Sequence, residues 1–165
     1  MTADVRLPGA ALLEALERIA GDAPRTYGAR PFALGWATVE LDRAARAFAD
    51  TFGSSARPAV AAPDDTLLGA SCRIVAVDLP GLPRVVLLEP NTEGRLAATL
   101  ARHGEGPMAV WLGPVAPGDP TAAATTGPMG TGGMGPFGPQ ILLPGAPITG
   151  PHRLLVPAGP GTITP

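Results

Sequence analysis

Residues 84–112 constrain the fold of this chain more than any other stretch. They begin with the apolar run 84–89 (RVVLLE), continue after a Pro-Asn pair with an amphipathic segment that stops at Gly104, and end with a second apolar run. Short apolar runs bounded by proline or glycine are typical of buried strands. A glycine after apolar residues at three- and four-residue spacing is typical of a helix end. We therefore predict a strand over 84–89, a helix over 92–103 and a strand over 108–112.

The preceding residues predict a strand, a helix, a loop and a further strand. Residues 32–39 (FALGWATV) are rich in aromatic and β-branched side chains, which favours a strand. Residues 40–48 (ELDRAARAF) have acids in the first turn and apolar side chains at helical spacing, which predicts a helix. We predict a loop over 52–65, and a strand over 71–77 that turns tightly into the strand at 84–89.

The C-terminal part has a different character. Residues 113–139 are dense in glycine, proline, threonine and alanine. Such composition indicates a flexible loop, and a loop of this length in a compact domain is usually a functional lid or a disordered segment. A weak helix pattern falls at 119–126, and short strands are predicted at 140–143 (QILL) and 153–156 (RLLV).

The N-terminal residues predict an additional helix. Apolar residues recur at helical spacing over 9–20 and stop at Gly21, and residues 21–31 form a linker rich in proline and glycine. We expect this helix to pack across the main domain or against a partner subunit.

Composition excludes several classes of function. A net charge of −2 with 16% charged residues gives no basic surface for nucleic acid and no polybasic membrane patch. No apolar run approaches the roughly 18 residues needed to span a bilayer, and the N-terminal residues lack a basic region followed by an apolar one. We therefore expect a cytoplasmic protein without a nucleic-acid or membrane partner.

The basic residues and the cysteine narrow the chemistry further. All 12 basic residues are arginine, which excludes Schiff-base catalysis and a P-loop because both need a lysine amine. Cys72 is the single cysteine, so no disulfide and no multi-cysteine metal site can form. Its apolar context favours a buried small side chain over a nucleophile.

Three phrases resemble one known family. LLEP at 87–90, GEGPMAVW at 104–111 and ATVELDRAARAF at 37–48 are similar to phrases of the vicinal oxygen chelate superfamily, which includes glyoxalase I and methylmalonyl-CoA epimerase. The resemblance implies an α+β fold in which paired βαβββ modules form a curved mixed sheet around a cavity, here with an extra N-terminal helix and a reduced second module.

The resemblance also implies an organisation of the chain. Residues 1–31 would be the N-terminal helix and linker, 32–106 the first module with a connecting helix, and 107–165 the reduced second module with its Gly/Pro-rich loop.

The metal site of the family is not expected here. The resemblance places its histidine positions at Ala33 or Leu34 and at Ala109 or Met108, and its first carboxylate or glutamine position near Val86. None of these side chains can bind a metal ion. We therefore expect no metal and no other cofactor.

A metal site could be rebuilt only from the two histidines and one acid. His103 lies at the end of the predicted helix 92–103, where a histidine interacts favourably with the helix dipole and is more naturally a cap. His152 is a lone polar residue near a segment end, where a surface or structural role is the simpler interpretation.

Candidate site residues remain. Glu89 follows four apolar residues and is the candidate general acid or base, although the favoured interpretation is that it faces solvent or accepts hydrogen bonds from the turn that follows. Trp36 and Trp111 occupy corresponding places in the two modules and could line an apolar pocket or belong to the core. Met129 and Met134, in the glycine-rich segment, complete the predicted substrate-binding set.

Two functional hypotheses follow. In the first, the protein is a metal-free enzyme that confines a small organic acid, acyl thioester or polyketide-like substrate and promotes isomerisation, epimerisation or cyclisation. In the second, it is a non-catalytic protein that binds or sequesters a small molecule, or an accessory homodimer. The first predicts a buried ionisable group with a shifted pKa facing a closed cavity, and the second predicts an apolar cavity or a filled core.

Overall fold

The apolar runs of the sequence become strands of one sheet. In this computed structural model, residues 14, 30–77, 84–113, 130–144 and 152–157 are described. The strands among them are β1 Arg30–Ala37, β2 Val60–Asp65, β3 Ala70–Val75, β4 Arg84–Pro90, β5 Gly106–Gly113, β6 Thr131–Gly135, β7 Gly138–Leu142 and β8 His152–Leu155. The α-helices among them are α1 Leu41–Phe52 and α2 Arg95–His103, and a short 3₁₀ helix, Gly53–Ser55, follows α1.

The sheet consists of two halves with the same pairing pattern. Its strand order is β2-β3-β4-β1-β5-β8-β7-β6. Strand β1 is parallel to β4 as β5 is parallel to β8, the outer pairs of each half are antiparallel, and β1 joins β5 in antiparallel fashion. The predicted α+β fold of paired modules in a curved mixed sheet is confirmed.

The sheet curves until its two edges meet. The Thr66 amide, just after β2, donates to the Met134 carbonyl on β6 at 2.9 Å, and the Met134 amide donates to Thr66 Oγ1 at 3.0 Å. These two hydrogen bonds, which we call the seam, join the outermost strands. The sheet is therefore nearly a closed barrel, and the seam protects part of each edge from pairing with another chain.

Each face of the sheet carries its own apolar core. On the outer face, α1 packs Leu41, Ala44 and Phe48 against strand residues. On the inner face, α2 packs Leu96 and Leu100. Because both faces of β4 are covered, its residues read as a continuous apolar run rather than an alternating one.

The strand–helix–strand prediction for residues 84–112 is confirmed. Helix α2 begins at Arg95, three residues later than predicted, because Gly94 is still extended (φ −167°, ψ −162°). It ends at Gly104, which has φ +75° and suits glycine, and whose amide bonds back to the Leu100 carbonyl at 2.8 Å.

The prediction of a loop over 52–65 is wrong at its end, where β2 lies. Strand β2 reads VAAPDD, with mostly exposed side chains and a proline, so it has no apolar alternation to detect. Its register with β3 shifts between Ala62 and Asp65, around Pro63, as is usual for a proline in an edge strand.

The prediction of one loop over 113–139 is also wrong in part, because residues 131–135 form β6. Glycine is needed there for close approach: a Cβ at Gly133 would lie 2.6 Å from Leu67 Cγ, and one at Gly135 would collide with the side chain of Gln140. Residues 114–129, with Met129 and the predicted helix 119–126, lie outside the described residues.

The predicted N-terminal helix also lies outside the described residues, except for Glu14, which is helical and exposed. Among the helices that are described, none has the length and apolar content to cross a membrane.

Candidate site on the inner face of the sheet

Four inner-face residues form a row across the central strands. Gly35 on β1 is paired with Val86 on β4 and with Ala109 on β5, and Ala109 is paired with His152 on β8. Paired residues of neighbouring strands point to the same face, so the four positions form one line. His152 is the member of this row with a polar side chain.

The row does not suit a divalent metal ion. His152 supplies one imidazole nitrogen, and the side chains at Val86, Gly35 and Ala109 supply no ligand atom. A zinc ion, for comparison, needs about four ligands. Within the described residues, no group of three His, Cys, Asp or Glu side chains could hold a metal. The first histidine position of the family was predicted at Ala33 or Leu34. The residue of β1 that shares the row with Val86 and Ala109 is instead Gly35.

The centre of the inner face is filled. A Cβ at Gly35 would lie 2.7 Å from Ala109 Cβ, 2.7 Å from Leu88 Cδ1 and 3.0 Å from Trp111 Cζ3. Both Leu88 and Trp111 have no exposed surface. The indole of Trp111 lies against Gly35, and its ring also packs edge-on to Phe137 at 5.6 Å between centroids.

A chain of hydrogen bonds runs from this indole to a buried acid. Trp111 Nε1 donates to Gln140 Oε1 at 2.8 Å, and Gln140 Nε2 donates to Asp65 Oδ2 at 2.7 Å. Asp65 Oδ1 accepts from the amides of Leu67 and Leu68 at 3.0 and 2.9 Å. The chain ties β5 and β7 to the end of β2, directly beneath the seam.

Burial dominates the titration of this region. It raises the pKa of Asp65, against the opposing effect of the hydrogen bonds from Gln140, Leu68 and Leu67. Burial and the nearby charge of Asp65 raise the pKa of Cys72 to about 12. Cys72 is 3% exposed and stays a protonated thiol at neutral pH, consistent with the predicted packing role.

His152 is buried beneath α2 with one nitrogen unpaired. Its side chain is 6% exposed, and its Nε2 lies 3.2 Å from Thr99 Oγ1. Its Nδ1 is shielded from solvent and has no hydrogen-bond partner. Burial, followed by the charge of Arg95, lowers the pKa of this imidazole. At neutral pH the interior therefore contains a neutral imidazole with one ring nitrogen that has no hydrogen-bond partner.

The predicted acid Glu89 lies near the end of β4, three residues beyond Val86 of the row. It is half-buried, and its Oε2 accepts a hydrogen bond from the Leu41 amide at 2.8 Å. Leu41 is the first residue of α1, so Glu89 is placed as a cap for this helix rather than in the row.

Glu105 supports the same helix end. Its Oε1 accepts from Thr38 Oγ1 at 2.7 Å and from the Val39 amide at 2.8 Å, and it forms an ion pair with Arg43. Burial alone would raise the pKa of Glu105, but these three partners together lower it.

Of the predicted substrate-binding residues, the three that the structure describes are not brought together. Trp36 lies on the outer face, with its ring 5.5 Å from Phe48 of α1, whereas Trp111 lies on the inner face. Met134 lies on β6 and is 50% exposed. His103 ends α2 and is exposed, as expected for a residue of the last turn.

Asp65 and Gln140 had no predicted site role, and the predicted role of His152 was a structural or surface one. The available signal was a polar residue at the start of an apolar run, since Gln140 precedes ILL and His152 precedes RLLV. Asp65 carried no signal because its strand was not predicted.

No protein-family model and no curated protein matches the chain. Solved structures do match. A hypothetical protein from Bacillus halodurans C-125 has 14% identity and a TM-score of 0.59, with 82% of this chain and 99% of that one covered. Methylmalonyl-CoA epimerase from Streptomyces coelicolor, in complex with 2-nitronate-propionyl-CoA, has 20% identity and a TM-score of 0.58, with 78% and 96% covered.

Methylmalonyl-CoA epimerase from Mycobacterium tuberculosis has 20% identity and a TM-score of 0.59, with 79% of this chain and 88% of that one covered. Methylmalonyl-CoA epimerases belong to the vicinal oxygen chelate superfamily. At these identities the likeness shows the fold, which is the α+β vicinal oxygen chelate fold.

Proposed function

We propose that the protein binds a small organic acid, acyl thioester or polyketide-like molecule on the inner face of its sheet. There it promotes isomerisation, epimerisation or cyclisation without a metal ion. The observation that carries this proposal is the row Val86, Gly35, Ala109 and His152. Its first three side chains have no metal-ligand atom, and His152 has a buried ring nitrogen without a hydrogen-bond partner.

The ligand class is supported by the structural neighbours. The Streptomyces coelicolor epimerase is complexed with 2-nitronate-propionyl-CoA, and another methylmalonyl-CoA epimerase is complexed with methylmalonyl-CoA. A hydrogen next to a thioester carbonyl is acidic enough to be moved by a positioned side chain, which contributes about 10² to 10⁴-fold to a rate. We further propose that the protein acts in the cytoplasm as a homodimer.

The test is proton exchange on a thioester. Purified, untagged protein is incubated with methylmalonyl-CoA in D₂O, and loss of the signal of the hydrogen next to the carbonyl is followed by ¹H NMR. We expect exchange above the buffer rate, unchanged by chelator, from protein without stoichiometric metal by elemental mass spectrometry. Exchange that disappears in chelator and returns with added metal contradicts the metal-free mechanism.

A second candidate is a non-catalytic binding or accessory protein. It is favoured by the filled centre at Gly35 and by the seam between Thr66 and Met134, which leave the inner face closed. Calorimetric binding of methylmalonyl-CoA without proton exchange would support sequestration. Absence of both, with a dimer by analytical ultracentrifugation, would support an accessory role.

A further inference from the structure

We infer that His152 is the residue that meets the ligand. Its Nδ1 accepts a proton or hydrogen bond from the ligand, and Arg95 pairs with the ligand's negative charge. This inference rests on the proposed function and names the site and the substrate class within it: an anionic or enolisable acid or thioester.

The protonation of the His152 ring follows from Thr99. Thr99 Oγ1 donates its hydrogen to the Arg95 carbonyl at 2.9 Å, one helical turn back. A hydroxyl has one hydrogen, so while Oγ1 donates to this carbonyl it accepts from His152 Nε2, 3.2 Å away, and we infer the tautomer from this arrangement. The Nε2 nitrogen therefore carries the proton, and Nδ1 keeps a lone pair. A histidine that acts as a base needs one ring nitrogen free to accept a proton, and a hydrogen bond to the other nitrogen determines which one that is.

Helix α2 positions the three groups together. Arg95 and Thr99 are four residues apart and lie on the same face of the helix. Leu96 and Leu100 anchor the helix to the inner core, so its rotation above His152 is fixed. Arg95 is exposed, and its charge acts on the imidazole.

An unpaired buried acceptor is costly, about 1–3 kcal/mol for a neutral group, and this cost is relieved when a ligand donor reaches it. Because Nδ1 is shielded in the unliganded protein, a ligand reaches it only when the local packing between α2 and β8 opens, and we infer that it approaches beside the exposed Arg95.

The chemical step is a proton transfer that balances within this site. The hydrogen on the carbon next to the carbonyl moves to Nδ1, leaving an enolate and an imidazolium ion. Arg95 compensates the enolate charge. Return of the proton from Nδ1 to the same face of that carbon regenerates the starting compound and the neutral imidazole. The epimer forms when the enolate turns over before the proton returns, so that Nδ1 delivers it to the opposite face and is again left neutral.

The first experiment reads the imidazole directly. In protein labelled with ¹⁵N-histidine, NMR distinguishes a bare ring nitrogen from a protonated one, and H103Q removes the resonances of the other histidine. We expect His152 to show bare Nδ1 and protonated Nε2, and methylmalonyl-CoA to shift the Nδ1 signal. A protonated Nδ1 in the free protein, or an Nδ1 signal unchanged at saturating methylmalonyl-CoA, overturns the inference.

The second experiment uses variants in the D₂O exchange assay. We expect H152Q to slow exchange by about 100-fold or more, as for loss of a general base. R95Q should weaken binding about tenfold, as for loss of one charged hydrogen bond, and R102Q, which removes an arginine from the last turn of the same helix, should change neither quantity.

T99V keeps His152 and tests its orientation. We expect the ring resonances to show a mixture of tautomers, and exchange to slow by more than any loss of folded protein accounts for, which a purely structural role would not produce. If H152Q is folded and exchanges like the wild type, the inference is overturned and the proposed function stands. If the wild type neither binds nor exchanges methylmalonyl-CoA, the proposed function itself fails.

Discussion

The hydrogen-bond chain through Trp111, Gln140 and Asp65 runs in one direction. An indole nitrogen can only donate and an ionised carboxylate can only accept, so the Gln140 amide has one orientation that satisfies both neighbours. All three residues are at most 2% exposed. When every polar group in such a buried series is hydrogen-bonded, the series favours one packing arrangement. When one bond is lost, polar groups are left buried without a partner.

Replacing Gln140 with leucine should therefore destabilise the protein more than its size change suggests. The Trp111 N–H loses its acceptor and Asp65 loses one donor, and two such losses cost about 2–4 kcal/mol. Urea unfolding measures the change in free energy of unfolding.

The control is a double-mutant cycle with W111F. Q140L should cost about 1 kcal/mol less in the W111F background, because no indole N–H remains to be stranded. Simple additivity of the two substitutions would contradict the role of the Trp111–Gln140 bond.

His152 should make stability fall in mild acid. Its pKa is lower in the folded protein than in the unfolded chain, where it is about 6.5. Above the unfolded pKa both states are neutral, and stability is full. As the pH falls below about 6.5 the unfolded chain binds the proton first, so the free energy of unfolding declines until the folded pKa is reached.

The measurement is the difference in unfolding free energy between wild type and H152Q from pH 7.5 to 5. The decline attributable to His152 should be absent in H152Q and present in H103Q, whose altered residue is exposed. Asp65, whose pKa is raised, contributes stability that is lost as pH rises, and this cancels in the comparison. Parallel curves for wild type and H152Q would refute the prediction.

The sequence could not assign the faces of the tryptophans, and the reason is geometric. Strand side chains alternate, so a one-residue uncertainty in register exchanges the inner and outer faces. Trp36 and Trp111 resolve to opposite faces. The environment of His152 was equally out of reach, because Thr99 is 53 residues away along the chain.

At the scale of elements, α1 is held at its start by two acids that are distant in the sequence. Its own N-cap residue, Glu40, makes no side-chain cap bond. Glu89 from β4 binds the Leu41 amide, and Glu105 binds the Val39 amide just before the helix. A carboxylate at a helix start satisfies an unpaired amide and is favoured by the helix dipole.

Removing Glu89 should cost about 0.5–2 kcal/mol, the usual range for a lost helix cap. We expect E89A to lower the urea midpoint and E89Q, which keeps an acceptor oxygen, to lower it less. E93A is the control, since Glu93 is exposed and lies outside both helices. Loss of proton exchange in E89Q at wild-type stability would instead favour the catalytic role that the sequence suggested.

Elements with strong periodicity were predictable, and those defined by their partners were not. Strands β4 and β5 and helices α1 and α2 carry apolar patterns of their own, so their type was correct from sequence. Strand β2 is an exposed edge strand and β6 is a run rich in glycine. Each forms a strand because a neighbouring strand provides its backbone hydrogen bonds. Pairing with a distant strand cannot be predicted from the local sequence of either strand.

At the scale of the molecule, the two halves meet where β1 crosses the centre of the sheet. Gly35 lies in this junction, at a register shift in the β1–β5 pairing, with the side chains of Ala109, Leu88 and Trp111 filling the space that its own would occupy. The junction is therefore packed to its limit.

A single methyl group should test this. We expect G35A to lower the free energy of unfolding by about 1–3 kcal/mol, the usual cost of overpacking a core. G132A on β6 is a matched control, because a Cβ there would have no neighbour within 4 Å. A G35A protein as stable as the wild type by urea unfolding would show that the centre has room to spare.

The antiparallel pairing of β1 with β5 has a consequence for how the two halves are joined. These strands hold equivalent places in the two halves, so the contact between them is nearly self-complementary. Two separate copies of one half could form it across a twofold axis. The middle of this single sheet therefore has the geometry of a dimer interface contained within one polypeptide.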